Sequence, residues 1–129
     1  MEKFIKINNS KKPEFDIKFP GYNDYSYKDE IYAYYIFDSD FIRQGWKVHI
    51  SCVVSNHLDI LKDISSYLVN NKINFKYIYN SNNLIKFLSA DISIENLGKF
   101  ITIYPKQDKI KEIINDIYTI MGSKEHVVV

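Results

Sequence analysis

The sequence predicts an α+β fold, in which a small mixed sheet carries helices packed on it. Two observations predict it. After a first strand-like segment, strand-like segments and segments with helical spacing of apolar residues follow one another in the order strand, helix, strand, helix, strand, helix. The length of 129 residues also suits one hydrophobic core and is too short for two. We therefore expect a single domain.

Strands are predicted over residues 31–37, 46–54, 73–79 and 99–104. The first is dense in Tyr, Ile and Phe, which favour strands. The second alternates, with Trp46, Val48, Ile50, Cys52 and Val54 on the apolar face. The third also alternates and carries a single charge, Lys76. Pro105 ends the fourth.

Three helices are predicted between and after these strands. The first follows an N-cap at Ser55-Asn56 and ends at Asn70-Asn71, and the second is short and capped by Ser81. The third begins near Asp108 and ends at Gly122, where a left-handed glycine commonly terminates a helix.

The two ends of the chain differ from its middle. Residues 1–30 show no period and hold Pro13 and Pro20, so we predict an N-terminal arm or loop, with the domain spanning 31–129. The chain ends in Val-Val-Val, which resembles the start of a further strand. We therefore expect the domain to be cut short at its C-terminal end and to belong to a longer protein.

Composition excludes several function classes. Seventeen basic and sixteen acidic residues give a net charge of +1, which argues against a nucleic-acid partner. One cysteine, Cys52, excludes an internal disulfide and a cysteine metal cluster, and four glycines cannot build a phosphate-binding loop. Neither a membrane-spanning run nor a signal peptide is visible, so we expect a cytoplasmic protein without a membrane partner.

Two strands carry candidate chemical groups. Lys47 and His49 are two residues apart on one strand, so their side chains emerge on one face about 6–7 Å apart. They suit an anion or an acid pair, and so short a pattern also fits a solvated sheet edge that carries a chance Lys and His. Lys76 lies between Phe75 and Tyr77, where desolvation would lower its pKa and make it a general base. A lysine that extends to solvent from an open sheet face fits the same pattern. No metal-ligand spacing is present, and we expect no cofactor.

Three runs together resemble a known family. They are Gly45-Trp-Lys-Val-His-Ile-Ser51, Asn74-Phe-Lys-Tyr77 and Gly98-Lys-Phe-Ile-Thr-Ile-Tyr-Pro105. In this order they resemble the amino-terminal lyase domain of class III and class IV lanthipeptide synthetases, which is similar to the phosphothreonine lyase effectors of pathogenic bacteria. The resemblance covers roughly residues 35–121 and implies a phosphothreonine-lyase-like fold.

The resemblance implies β-elimination of phosphate from phosphoserine or phosphothreonine, which leaves dehydroalanine or dehydrobutyrine. Lys76 would be the base that removes the Cα proton, His49 the acid that protonates the phosphate, and Lys47 the cation that steadies the enolate or the phosphate. Tyr104 and Lys106 match a Tyr-x-Lys that contacts substrate. The implied partners are a phosphorylated precursor peptide and the kinase and cyclase domains of the same synthetase.

One departure from the family concerns arginine. The family binds phosphate with arginines, because a guanidinium contacts it through two hydrogen bonds. Arg43 is the only arginine in this chain. The remaining phosphate-binding candidates are Lys86, Lys99, Lys106 and Arg43. Two alternatives stay open: a non-catalytic module that docks the leader peptide or the kinase domain, and a free-standing lyase that acts on folded proteins.

Overall fold

In the part of the chain that the structure describes, six strands form one sheet and three helices accompany it. The computed structural model describes residues 26–38, 45–52, 56–88, 99–122 and 127–128. The strands are β1 (Tyr27–Lys28), β2 (Tyr32–Tyr35), β3 (Val48–Ile50), β4 (Asn74–Ile78), β5 (Ile101–Tyr104) and β6 (Val127–Val128). The helices are α1 (His57–Asn70), α2 (Ser81–Leu88) and α3 (Ile110–Met121), the last preceded by a short 3-10 turn at Gln107–Lys109.

The strands lie in the order β1-β2-β4-β5-β3-β6, and every pairing between described strands is antiparallel. The predicted α+β class is confirmed, but the sheet is antiparallel where we predicted a mixed one. The reason lies in the connections. α1 joins β3 to β4, which run in the same direction, but β5 lies between them and is antiparallel to both. α2 joins the neighbouring strands β4 and β5, which run in opposite directions, so no two described neighbours are parallel.

The core lies on the face where strand residues alternate inward. Ala33, Tyr35, Val48, Ile50, Phe75, Tyr77, Ile101 and Ile103 are all buried there. The rings of Tyr35 and Phe75, which are cross-strand partners, stack with centroids 5.1 Å apart. Leu61, Ile64 and Leu68 of α1, Leu84 of α2, and Ile113 and Ile117 of α3 complete the same cluster. Val48, Ile50 and Cys52 are buried as predicted, whereas Trp46 is 66% exposed, so the prediction is wrong there.

The helix ends follow simple chemistry, with one correction. Asn80, not Ser81, caps α2, since its side-chain oxygen accepts a hydrogen bond from the backbone N–H of Asn83 at 2.9 Å. α1 starts after Asn56, whose side chain makes no capping hydrogen bond. Gly122 ends α3 with φ of +67°, the left-handed conformation that glycine adopts without strain.

Several predictions lie outside the described residues. They concern Arg43, Ser55, Val54 and most of the N-terminal arm. The last part of that expected arm is different, because Tyr27 and Lys28 form β1 and pair with β2. Among the helices the structure describes, none is long and apolar enough to cross a bilayer.

Candidate functional site

A row of cross-strand neighbours crosses the face of the sheet opposite the core. Lys76 of β4 is the register partner of Tyr34 on β2 and of Thr102 on β5, and Thr102 is in turn the partner of His49 on β3. Side chains of register partners point to the same face of a sheet. Strands distant in sequence thus place Tyr34, Lys76, Thr102 and His49 in one line.

Tyrosine rings surround the Lys76 amine. Its Nζ lies 4.1 Å from the ring centroid of Tyr32, 5.6 Å from that of Tyr34 and 5.9 Å from that of Tyr104. The pKa of Lys76 is lowered from 10.5 to about 8, chiefly by burial and also by the nearby Lys47 and Lys99, while Asp29 acts in the opposite direction. Lys76 thus has the lowered pKa that a lysine base requires.

His49 is partly buried beside the same amines. Its Nδ1 lies 3.3 Å from Oγ1 of Thr102, a hydroxyl that can donate to or accept from the ring. The pKa of His49 is lowered from 6.5 to about 4, chiefly by burial and also by Lys99, Lys47 and Lys76. The imidazole is therefore neutral at pH 7.

Two of the amines lie near the ring of Tyr104. The Nζ of Lys47 lies 5.5 Å from its ring centroid, on a ring that Lys76 also approaches. Burial raises the pKa of the Tyr104 hydroxyl, with smaller contributions from Tyr32 and Asp29. Tyr104 is therefore an uncharged phenol at neutral pH. We call Lys47, His49, Lys76, Thr102 and the rings of Tyr32, Tyr34 and Tyr104 the amine–tyrosine cluster.

The structure brings together some of the predicted site residues and not others. Lys47, His49, Lys76 and Tyr104 lie in the cluster, and Lys99 is close enough to lower the pKa of His49. Lys106 is exposed outside it, with Nζ 3.8 Å from a carboxylate oxygen of Asp38. Lys86 is exposed in the last turn of α2, and none of the charges that shift the pKa of His49 or Lys76 belongs to it.

Sequence reasoning missed Tyr32, Tyr34, Thr102 and Asp29. A signal for the two tyrosines exists, since they alternate on a strand and share the face of Lys76. Asp29 lies within residues 1–30, which the sequence predicts to be an arm or loop outside the domain. Its Oδ1 accepts backbone hydrogen bonds from Ile31 at 2.8 Å and Tyr32 at 2.6 Å, which fixes the turn from β1 to β2. It is also the carboxylate that raises the pKa of Lys76.

The arrangement suits a multiply charged anion. Amines that repel one another in a partly buried site gain most from a ligand that neutralises them. Neutral phenols add hydrogen-bond donors without adding charge. Among the described residues, no three His, Cys, Asp or Glu side chains lie close enough together to hold a metal ion.

Fold and site define a small α+β domain whose antiparallel sheet presents a partly buried set of amines and tyrosines. The family described as RamC, N-terminal domain, matches residues 21–126, and the chain belongs to that family. The family is related to lanthipeptide synthetases and associates the chain with lanthipeptide-type biosynthesis. The resemblance seen in the sequence is confirmed at this level. No curated protein matches the chain.

Proposed function

We propose that this chain is a phosphoserine/phosphothreonine lyase domain that forms dehydroalanine or dehydrobutyrine in a precursor peptide during lanthipeptide biosynthesis. The observation that carries the proposal is the meeting of Lys47, His49 and Lys76 on one sheet face around Tyr104. These residues come from β4, β3 and the segment before β3, so their meeting depends on the fold and not on their closeness in sequence.

Lys76 is the proposed base. With a pKa of about 8, about one tenth of its amine is neutral at pH 7, against well under one thousandth at 10.5. The neutral amine takes the Cα proton and becomes an ammonium ion. The electron pair of the C–H bond becomes the second bond between Cα and Cβ, and the bond from Cβ to the phosphate oxygen breaks.

His49 is the proposed acid. It donates a proton to the departing phosphate, and this requires the imidazolium form. A phosphate dianion beside His49 raises its pKa and supplies that form on binding. The resting and the reactive forms of the site then hold the same number of protons. In the resting form the proton is on Lys76, and in the reactive form it is on His49.

Lys47 and the phenols stabilise charge that develops during the reaction. As the Cα proton leaves, negative charge forms on the peptide carbonyl oxygen, and a fixed cation or hydroxyl donor lowers the barrier. The Nζ of Lys47 lies 5.5 Å from the ring centroid of Tyr104, nearer than that of Lys76 at 5.9 Å, so Lys47 is the cation proposed for this role. Lys99 adds positive charge for the phosphate, since its field already reaches His49.

The test is incubation of the chain with a phosphorylated precursor peptide and detection of phosphoric acid loss by mass spectrometry. Lys76→Ala removes the base and is expected to abolish elimination, and Lys76→Met is expected to do the same with the side-chain volume kept. Lys62→Ala, at an exposed position of α1, is the matched control and keeps full activity. Elimination at the wild-type rate by Lys76→Ala would show that the base is wrongly assigned.

A non-catalytic module that docks the leader peptide or the kinase domain is the second candidate, because the sheet has an outer strand that could pair with a peptide. β6 is an outer strand of the sheet, and its Val128 is 59% exposed. An outer strand can add an extended peptide through backbone hydrogen bonds. Docking predicts equal affinity for phosphorylated and unphosphorylated precursor and no elimination. The lyase proposal predicts tighter binding of the phosphorylated peptide, which Lys47→Met weakens.

A further inference from the structure

A groove opens at the end of the sheet where β4 begins and β5 ends. Its volume is about 700 Å³, within the range of about 300–1,000 Å³ typical of ligand sites. Asn71 and Lys72 at the end of α1 line one side, and Gln107 and Glu112 of the 3-10 turn and α3 line the other. The groove has room for several amino-acid residues.

Tyr104 belongs both to this groove and to the amine–tyrosine cluster. It lines the groove, and its ring lies 5.5 Å from the Nζ of Lys47 and 5.9 Å from that of Lys76. A polypeptide whose reactive residue lies between these two amines can therefore continue past Tyr104 into the groove.

The lining suits a peptide backbone better than a second phosphate. It contains Lys72, Lys106 and Lys109 but also Asp38, Asp108, Glu112 and Asp116. Two of these lysines already lie beside carboxylates, Lys106 near Asp38 at 3.8 Å and Lys109 near Glu112 at 3.7 Å. The amine–tyrosine cluster is thus positively charged, whereas the groove carries nearly equal numbers of positive and negative side chains. Amide side chains such as Asn71 and Gln107 supply the donors and acceptors that a peptide needs.

The two sides of the groove are tied together before any ligand binds. The hydroxyl of Tyr67 on α1 donates to Asp116 on α3 at 2.7 Å. Gln107 accepts from the backbone N–H of Trp46 at 2.9 Å and donates to the carbonyl oxygen of Trp46 at 3.1 Å. The second contact joins the groove to the segment that carries Lys47. Such a preformed groove binds a flexible chain without reorganising itself.

We infer that the groove binds the polypeptide flank of the phosphorylated substrate, a few residues to one side of the reacting phosphoserine or phosphothreonine. The inference rests on the proposed function and adds a peptide subsite to it. Binding there holds the substrate equally before and during the reaction, so its loss raises KM without lowering kcat.

The test compares two neighbouring asparagines at the end of α1. Asn71 lines the groove, whereas Asn70 is exposed and does not line it. Asn71→Trp fills the groove, and Asn70→Trp is the matched control. The substrates are a phosphopeptide with several residues on each side of the phosphoserine and a phosphoserine capped at both ends.

In the wild type and in Asn70→Trp, the long peptide is expected to have a KM about tenfold below that of the capped residue, or about 1.4 kcal/mol of binding. In Asn71→Trp the two values are expected to become alike. Persistence of the tenfold preference in Asn71→Trp would overturn the inference. Peptides extended on one side only show which flank is bound.

A binding measurement separates this inference from the proposed function. Fluorescence polarisation with a labelled, unphosphorylated peptide of the same flanks is expected to show about tenfold weaker binding to Asn71→Trp than to Asn70→Trp. Equal binding by the two variants overturns the groove assignment even if the lyase works. Absence of elimination with groove binding intact overturns the lyase and leaves the groove as a peptide site.

Discussion

The Nζ of Lys76 lies 4.1 Å from the ring centroid of Tyr32, so the amine of the proposed base lies over an aromatic ring and is partly removed from water. Two effects oppose each other there. Desolvation favours the neutral amine, and the ring attracts the charged one. Burial is the largest cause of the lowered pKa of Lys76, about 8, and the neighbouring lysines act in the same direction.

The first prediction concerns the pH profile of kcat/KM, which reports groups of the free enzyme. Between the pKa of His49, about 4, and that of Lys76, about 8, raising the pH increases neutral Lys76 and decreases charged His49 by equal factors. Over pH 7–8, where the substrate phosphate is a dianion, kcat/KM is therefore expected to stay constant. Above pH 8 it falls, because Lys76 is already neutral while His49 continues to lose its charge.

Asp29→Asn provides the control for this profile. The carboxylate of Asp29 raises the pKa of Lys76, so its removal is expected to move the falling limb to lower pH. An asparagine oxygen can still accept the backbone hydrogen bonds that Asp29 accepts from Ile31 and Tyr32. A profile that instead rises through pH 8 would indicate a lysine base acting without a histidine acid.

The second prediction concerns stability. Lys76→Met removes a charge whose burial opposes folding, so the free energy of unfolding at pH 7 is expected to rise by about 1–2 kcal/mol, allowing for the partial exposure of the amine. The folded-state pKa lies below the ordinary 10.5. The wild type therefore gains stability as the pH rises from 8 to 10.5, and the advantage of the variant shrinks over that interval.

Urea denaturation at pH 7 and pH 10 measures this effect. Lys62→Met, at an exposed site on α1, is the control and is expected to change stability by less than about 0.5 kcal/mol. A destabilised Lys76→Met would mean that attraction to the Tyr32 ring exceeds the cost of burying the charge.

The third prediction concerns His49. In the free protein its ring is expected to stay neutral down to about pH 5, because its pKa is about 4. Inorganic phosphate is expected to raise that pKa, and so is Lys99→Met, which removes the largest of the charges that lower it. Imidazole NMR titration measures each shift. An unchanged His49 titration in saturating phosphate would place the anion elsewhere.

The same shift fixes the direction of a stability change in acid. Because the folded pKa of His49 lies below 6.5, the unfolded chain binds more protons between pH 6.5 and 4. This group's contribution to stability is complete above pH 6.5 and is lost as the pH falls towards 4. His49→Gln lacks that part of the pH dependence, which thermal melts over the interval detect.

The fourth prediction concerns Gly45 and Gln107. Gly45 has φ of +131°, and a Cβ there would meet the Cδ of Gln107 at 3.1 Å. Gly45→Ala is expected to cost about 1–3 kcal/mol from backbone strain and crowding. Gln107→Ala is expected to cost about 1 kcal/mol, because the hydrogen bonds to Trp46 are lost.

The double variant separates the two causes. If crowding contributes, Gly45→Ala with Gln107→Ala costs less than the sum of the single changes, as a double-mutant cycle in denaturant measures. Strict additivity would mean that backbone strain alone accounts for Gly45→Ala.

Local pattern was enough to predict most elements of the fold. Alternation located β3 and β4, helical spacing located α1 and α3, and Gly122 marked the end of α3. Local pattern could not predict the order of the strands in the sheet. That order depends on which distant segments pair, and single-strand patterns do not encode the pairing direction.

The candidate site was predictable only in part. That Lys47 and His49 share a face follows from alternation along one strand. That they lie near Lys76 depends on β5 pairing with both β3 and β4, which the sequence pattern does not show. Asp29 could not be predicted as a site residue, because it lies in a turn next to β1, and a strand of two residues leaves no alternating pattern in the sequence. Lys86 and Lys106 lie outside the cluster, and their proposed contacts with phosphate stay predictions.

The strand order also has a kinetic consequence. His49 and Lys76 are both register partners of Thr102 on β5, so the proposed site needs two strand pairings between segments far apart in the chain. Contacts of this kind form late and slowly, since long loops must close first. During refolding, elimination should thus reappear together with the last structural phase, and no early intermediate should turn over substrate.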